Sequence, residues 1–312
     1  MRRAGIVAAA LFATTAVQAK GPPAGADYTD YSPAFVKFYD TTEGLDPDAR
    51  VAAFKRDVAP LFPDFYAPRE GRTQEQLDNS IRGAIREFPS IRGKYLAAQK
   101  AFPRALADAR KHFGKFFPKS TASLPTYLLH SLGEMDGGSR TIKGRDVMVF
   151  GADGIAKYHS PADIGPFFDH EFLHIEQGAF FKDCEAIWCS LWQEGLATAA
   201  AAQMNPGIDY QGLMLTLPKP IPAAVDAHWR DALCYVSVKQ EATDPDSYKS
   251  LFYGNGGTDI LPPRSGYYVG YKLALRLLRT HSLVELAHLP NELAGPLVKN
   301  ELAAMVKDAG GC

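Results

Sequence analysis

The stretch His170-Glu171-Phe172-Leu173-His174 decides how this chain is interpreted, because it sets two histidines four residues apart with a glutamate after the first. The surrounding segment, Asp169 to Phe181, has the pattern of a helix. An α-helix turns by about 100° per residue, so the two imidazoles lie roughly 40° apart on one face and can reach one metal ion. Glu171 is turned to the side, where it can hold a water molecule next to that ion. This arrangement is typical of zinc hydrolases.

Catalytic zinc usually keeps three protein ligands and one open position, so a third ligand is expected downstream. A metzincin would have glycine and histidine where this chain has Gln177 and Phe180, which excludes that class. Glu194 follows His174 by twenty residues, within the segment Leu191 to Ala200. A turn near Lys182-Asp183 and a second, antiparallel helix would return its carboxylate to the level of the histidines.

Three other carboxylates are nearer in sequence, and each has a simpler interpretation. Glu176 lies two residues beyond His174, which turns it about 200° away from that ligand. Asp183 and Glu185 fall in the presumed turn, where they are expected to be solvated or to cap the second helix. Glu194 is therefore the preferred third ligand.

The motif resembles the thermolysin-like gluzincins, in which H-E-x-x-H is followed, after nineteen residues, by the ligand glutamate. The motif around the glutamate, Trp192-Gln193-Glu194-Gly195-Leu196-Ala197, is more similar to poorly characterised families of predicted zinc-dependent proteases than to thermolysin-like enzymes. The resemblance is tight over 165–203 and implies Zn²⁺ on His170, His174 and Glu194, with Glu171 as general base. Thermolysin-like sites often carry aspartate four residues after the ligand glutamate, as a support for the ligands. Here that position is Thr198, so such support must come from elsewhere.

The donor that stabilises the oxyanion of the transition state is sought among Tyr267, Tyr268 and Tyr271, with Arg264 nearby in sequence. Similar tyrosine-rich stretches accompany the W-x-E-G-L-A motif in the predicted protease families. Tyr268 is placed first and Tyr267 second as catalytic candidates. The competing interpretation is that aromatic residues at helical spacing belong to the core.

Strands are predicted between Leu124 and Phe150, with a turn at Met135 to Gly138. The apolar run Val147 to Phe150 gives the strongest signal. By resemblance to gluzincins, a small sheet of this kind has an edge strand beside the cleft that pairs with an extended peptide substrate. We assign that edge to Val149 to Ile155.

The fold class that follows is α+β and mainly helical, with a small sheet before a zinc-binding helix hairpin, as in zincin-like proteins. One metallopeptidase-like domain is expected over 20–312. It comprises a helical part at 27–119 that prolines at 60, 63, 68, 89 and 103 interrupt, the sheet and zinc helices at 120–204, and a helical part at 205–312.

Residues 1–19 have the features of a signal peptide: a basic start, an apolar stretch too short to span a bilayer easily, and small residues before Lys20. An uncleaved anchor is the alternative. After cleavage no integral membrane span is expected, and the protein would be periplasmic or secreted. Loss of Arg2 and Arg3 lowers the count of Lys and Arg from 34 to 32 against 35 acidic residues. That balance argues against nucleic acid as a partner.

The four cysteines are Cys184, Cys189, Cys234 and Cys312. In an oxidising compartment an even number favours disulfides, although sequence does not fix their pairing. Cys184–Cys189 with Cys234–Cys312 is preferred, and free buried thiols are the alternative.

These features favour an exported zinc metallopeptidase that acts on peptides or proteins. Two alternatives remain at this point. One is a non-catalytic binding protein with a structural or vestigial zinc site, although such a site has no use for Glu171. The other is a zinc amidase that acts on a non-peptide or cell-wall substrate.

Overall fold

The computed structural model describes residues 27–69, 71–120, 124–160 and 163–312, so the predicted signal peptide at 1–19 lies outside the described residues. The described part is mainly helical with one small sheet, which confirms the predicted α+β class. The helices are α1 (Ser32–Thr41), α2 (Pro47–Asp57), α3 (Gln74–Phe116), α4 (Ala152–Tyr158), α5 (Ile164–Gly178), α6 (Ile187–Met204), α7 (Ile221–Ala227), α8 (Trp229–Lys239), α9 (Pro245–Phe252), α10 (Ser265–Leu277), α11 (Leu283–Ala287) and α12 (Asn291–Asp308). The strands are β1 (Thr29–Asp30), β2 (Thr126–Leu129), β3 (Gly137–Ile142) and β4 (Arg145–Gly151).

The strands are arranged in the order β1-β2-β4-β3, with β3 antiparallel to β4 and the other pairs parallel. Lys143 and Gly144 join β3 to β4, and both have positive φ values, 50° and 73°. Such a two-residue turn matches the twist of paired strands, and glycine adopts it without strain. The turn fixes the register in which Ile142 faces Arg145.

The edge strand beside the cleft is β3, so the assignment of that edge to Val149–Ile155 was wrong. Val149 pairs with Tyr127 on one side and with Gly138 on the other, which makes β4 a central strand. Its continuous apolar run reflects this position, because a strand that is covered on both faces needs no polar alternation. Beyond Gly151 the chain turns into α4.

Helix α3 runs for 43 residues through Pro89 and Pro103, which had been expected to interrupt it. A proline inside a helix costs about 3 kcal/mol. Against this, α3 buries an apolar stripe along its whole length, including Phe88 and Phe102 at 0 % exposure. Each such side chain contributes about 1.5–3 kcal/mol, so the packing outweighs both prolines.

The carboxyl-terminal part is helical as expected, and α10 packs closely on α6. The helices meet at two glycines: a Cβ atom on Gly195 would lie 2.3 Å from the carbonyl carbon of Gly270. No side chain fits there, so the two backbones touch. This contact joins the Trp192–Ala197 segment to the tyrosine-rich segment of α10.

The predicted disulfide pairing is confirmed. Cys184 is bonded to Cys189 in the connection between α5 and α6, and Cys234 in α8 is bonded to Cys312. Among the described residues, the helices are all too short or too polar to serve as a membrane span.

Candidate metal centre

Helices α5 and α6 form an antiparallel hairpin that carries the predicted ligands on its inner faces. On α5, Phe168 and Leu173 are fully buried and anchor the helix to the core. On α6, Trp192 and Leu196 do the same. Because the apolar faces are fixed in this way, His170, His174 and Glu194 are turned toward one cavity.

The three predicted ligand side chains converge. The Nε2 atoms of His170 and His174 are 3.0 Å apart, and Oε2 of Glu194 lies 3.2 Å from the first and 3.4 Å from the second. A search of the described residues for clusters of at least three potential metal ligands finds these three side chains and no other such cluster.

The donor set fits a small divalent cation. Ligand atoms at the corners of a tetrahedron, each about 2.1 Å from a zinc ion, are about 3.4 Å from one another. The observed separations of 3.0, 3.2 and 3.4 Å are close to that value. The two nitrogens and the oxygen thus form a nearly equilateral triangle, as three ligands of one cation would.

The charges of the three groups are linked. Burial alone would raise the pKa of Glu194, but the positive charge that His174 can carry and the hydrogen bonds from both rings hold it well below its usual range. Burial would lower the pKa of His174, yet the charge of Glu194 raises it to about 9. Burial lowers the pKa of His170. Glu194 is therefore a carboxylate at all moderate pH values, which is the form that binds metals.

Glu171 lies beside the cluster and has a distinct environment. Burial raises its pKa to about 7, against the opposing influence of His174. Its Oε2 atom faces Gly138 of β3, at van der Waals distance (3.6 Å) from where a Cβ would stand, and the φ of +146° favours glycine there. A carboxyl group with a pKa near neutrality, next to a metal site, is suited to accept and return a proton.

The cluster opens into a cavity of about 500 Å³. One wall is the edge strand β3 from Gly137 to Arg140, and the opposite wall contains Leu213, Met214 and Arg264. Arg140 is a lining residue that was not predicted from the sequence. Its position could not be read from the sequence, because the pairing that makes β3 an edge strand depends on contacts distant in the chain.

The tyrosines of α10 separate into two environments. Tyr267 lines the metal cavity, and the guanidinium of Arg264 lies 4.3 Å from the centre of its ring. Burial, with a further contribution from Glu194, raises the pKa of Tyr267 well above its usual value, so the phenol keeps its proton.

Tyr268, which the sequence placed before Tyr267 as a catalytic candidate, does not line the cavity. Its hydroxyl group donates to the carboxylate of Asp226, at 3.0 and 3.1 Å, and the residue is 1 % exposed. Successive residues on a helix diverge by about 100°, and here that divergence points Tyr267 toward the cavity and the Tyr268 hydroxyl toward Asp226. Tyr271 does not line the cavity either, and its ring lies 6.4 Å from that of Tyr268.

The three rival carboxylates do not line the metal cavity. Glu176 bonds to Nε2 of His288 at 2.7 Å. Asp183 and Glu185 are exposed in the α5–α6 connection.

Support for the hairpin comes from a buried polar group that the sequence analysis missed. Asp169, next to His170, accepts hydrogen bonds from His112 of α3 at 3.1 Å and from Asn205, just after α6, at 2.8 Å. Thr198 donates to the main-chain oxygen of Glu194 at 2.8 Å. The two bonds to Asp169 tie α5 to α3 and to the end of α6, and the Thr198 bond stays within α6.

Comparison with protein-family models, with curated proteins and with solved structures gave no significant match to this chain. The chemistry of the site therefore has to follow from its own side chains.

Proposed function

We propose that this protein is an exported zinc-dependent peptidase of the gluzincin type. The observation that carries the proposal is the convergence of His170, His174 and Glu194 within 3.0–3.4 Å at an open cavity, with Glu171 beside them. A purely structural site would be closed and would have no use for Glu171. Two disulfides are consistent with an oxidising, extracytoplasmic compartment.

Zinc is the metal that this donor set favours. Two neutral imidazoles and one carboxylate are the ligands of several hydrolytic zinc sites, in which a fourth position stays open. A zinc ion held there would make a neighbouring water molecule more acidic and would polarise a substrate carbonyl.

Glu171 is the residue that moves the proton. With its pKa raised by burial to about 7, it takes a proton from the attacking water and then delivers it to the leaving amine. Its place between the ligand cluster and Gly138 puts it within the cavity where water and substrate would meet.

Tyr267 and Arg264 are suited to stabilise negative charge on the substrate oxygen. Tyr267 remains protonated and can donate a hydrogen bond, while Arg264 adds positive charge on the same wall. Donors aimed at developing charge in a sheltered site lower the barrier effectively.

The test is the variant Glu171→Gln, which keeps the metal ligands but removes the base. Metal analysis of the purified protein is expected to give one zinc per chain for both the wild type and the variant. Hydrolysis of a peptide mixture should fall by about 10²–10⁴-fold in the variant. Glu185→Gln, which changes an exposed carboxylate, is the matched control and should retain full activity. Undiminished hydrolysis by Glu171→Gln, or a wild-type protein that holds no zinc, would refute the proposal.

A further inference from the structure

A second cavity, of about 960 Å³, adjoins the metal cavity. The two cavities share Ser139 and Arg140 of β3 and His174 and Gly178 of α5. A molecule bound at the metal therefore has direct access to this second space.

The walls of the second cavity expose more apolar than polar surface and come from several parts of the chain, with Lys119, Asp146 and Lys182 among the charged residues that also line it. The apolar side chains are the ones that would contact a substrate side chain. They include Phe117 after α3, Leu124 before β2, Ile175 and Phe180 at the end of α5, and Val284 of α11. The Phe180 ring stacks on His288 at 4.2 Å.

His288 in turn is fixed by Glu176, whose carboxylate lies 2.7 Å from its Nε2 atom. The side of the pocket that contains Phe180 is thus held in place before any ligand binds. Pockets that are formed in advance and lined by aromatic and aliphatic groups select ligands by size and hydrophobicity.

The edge strand β3 leads from one cavity to the other. Because Ile142 and Arg145 close a two-residue turn, they form a hydrogen-bonded pair, and the pairs alternate from there. The main-chain groups of Gly137, Ser139 and Thr141 therefore point to the outer edge of β3. There the Gly137 amide donates to Oδ1 of Asp136 at 3.1 Å and the Ser139 carbonyl accepts from Arg140 at 2.9 Å, so a peptide that pairs along this edge would replace these two side-chain bonds. Gly137 lies at the metal cavity and Thr141 at the second cavity.

An extended peptide bound along this edge would pair with β3. Antiparallel pairing is the more stable arrangement per residue. Since β3 runs from the metal cavity toward the second cavity, an antiparallel peptide would place the residues that precede its scissile bond beside the second cavity.

We infer that the second cavity is a specificity pocket for a large apolar side chain, aromatic or aliphatic, on the amino-terminal side of the scissile bond. This inference rests on the proposed peptidase function and adds the class of substrate to it. A pocket of this kind discriminates strongly against small side chains, because their binding leaves apolar surface uncovered.

The experiment compares cleavage of a peptide library by wild-type protein and by Val284→Trp, in which the larger side chain fills the pocket from its surface side. Wild-type protein should prefer Phe, Tyr, Leu or Met before the scissile bond. In Val284→Trp, the ratio of kcat/KM for a Phe-containing peptide to that for its Ala counterpart should fall at least tenfold. Val238→Trp makes the same change at an exposed position of α8 and should leave that ratio unaltered.

The possible results separate this inference from the proposed function. Zinc-dependent cleavage without any preference before the scissile bond, or an unchanged ratio in Val284→Trp, overturns the pocket and leaves the peptidase intact. A wild-type protein that cleaves nothing in the library overturns both. If Val284→Trp does not fold, as judged by circular dichroism, Val284→Lys tests the same wall with a charge and should lower the same ratio.

Discussion

Gly195 and Gly270 bring α6 and α10 into backbone contact, one residue away from the candidate metal ligand Glu194 and three residues away from Tyr267. A Cβ on Gly195 would lie 2.3 Å from the carbonyl carbon of Gly270, and a Cβ on Gly270 would lie 2.3 Å from the carbonyl oxygen of Leu191. The distance between Glu194 and Tyr267 is thus set by the close approach of the two helices, which is possible only because Gly195 and Gly270 have no side chains.

Alanine at Gly195 is therefore expected to separate the two helices. Overpacking of this kind costs about 1–3 kcal/mol, which urea denaturation would measure as a lower free energy of unfolding. Zinc affinity should fall as well, because Glu194 moves with its helix. Gly83→Ala is the control: it lies in α3 with only the end of the Arg86 side chain as near as 4.0 Å, so it should leave stability unchanged or raise it. Equal effects of the two substitutions would contradict this account of the contact.

Tyr267 and Tyr268 should respond in opposite ways to replacement by phenylalanine. Tyr267→Phe removes a donor from the metal cavity, so kcat should fall by about 10²–10³-fold with little change in stability. Tyr268→Phe removes the partner of the Asp226 carboxylate, so it should lower the free energy of unfolding by about 1.5–3 kcal/mol with little effect on kcat. Steady-state kinetics and urea denaturation of both variants distinguish the two roles, and a large loss of kcat in Tyr268→Phe alone would reverse them.

Removal of the metal should destabilise the folded protein. A ligand that binds only the native state adds about 2.7 kcal/mol when its free concentration is about 100 times Kd. Urea denaturation with zinc and with chelator should therefore differ for the wild type, and the difference should vanish in Glu194→Gln. A chelator effect of the same size in that variant would mean that zinc acts at another place.

Stability is also expected to depend on the buried ring of His130. Burial lowers the pKa of His130, whose ring is 2 % exposed and stacks 3.7 Å from that of Phe35. The unfolded chain binds a proton near pH 6.5, whereas the folded chain binds it at a lower pH. The contribution of His130 is thus fully present above about pH 6.5 and is lost as the pH falls through the range below it.

Urea denaturation at pH 7.5 and pH 5.0 measures this dependence. His130→Gln should show a smaller loss of stability between the two values than the wild type, while His228→Gln, at an exposed position, should behave as the wild type does. If His130→Gln lost as much stability between pH 7.5 and pH 5.0 as the wild type does, the pH dependence would have to come from other groups.

The sequence was sufficient where local spacing determines geometry. The interval between His170 and His174 and the length of chain to Glu194 predicted three side chains that meet within 3.0–3.4 Å. The pairing of Cys184 with Cys189 was preferred among the possible pairings, and the structure bears it out, but the sequence alone did not determine it. The order of the strands in the sheet was harder to predict. An apolar run such as Val147 to Phe150 indicates a buried strand, but it does not show which other strand forms the edge of the sheet.

Long-range packing decided the remaining differences. Pro89 and Pro103 break a helix in isolation, but the apolar stripe of α3 is held by the rest of the protein. The choice between Tyr267 and Tyr268 depended on the angle at which α10 meets α6, which the two glycines set. Neither Gly195 nor Gly270 signals this role in the sequence, since a helical glycine on its own has no preferred partner.

The free edge of β3 also affects how copies of the protein behave toward each other. An uncovered strand edge invites pairing with the same edge of another molecule, and such a dimer would block both clefts. Arg140 and Arg145 are exposed on the β3–β4 hairpin, and Lys143 at its tip is paired with Asp64 at 2.8 Å. Two such edges would bring like charges together, which is one way in which proteins prevent self-association. Under the proposed function, the charged hairpin would leave the edge of β3 available to a peptide substrate and would disfavour pairing between copies of the protein.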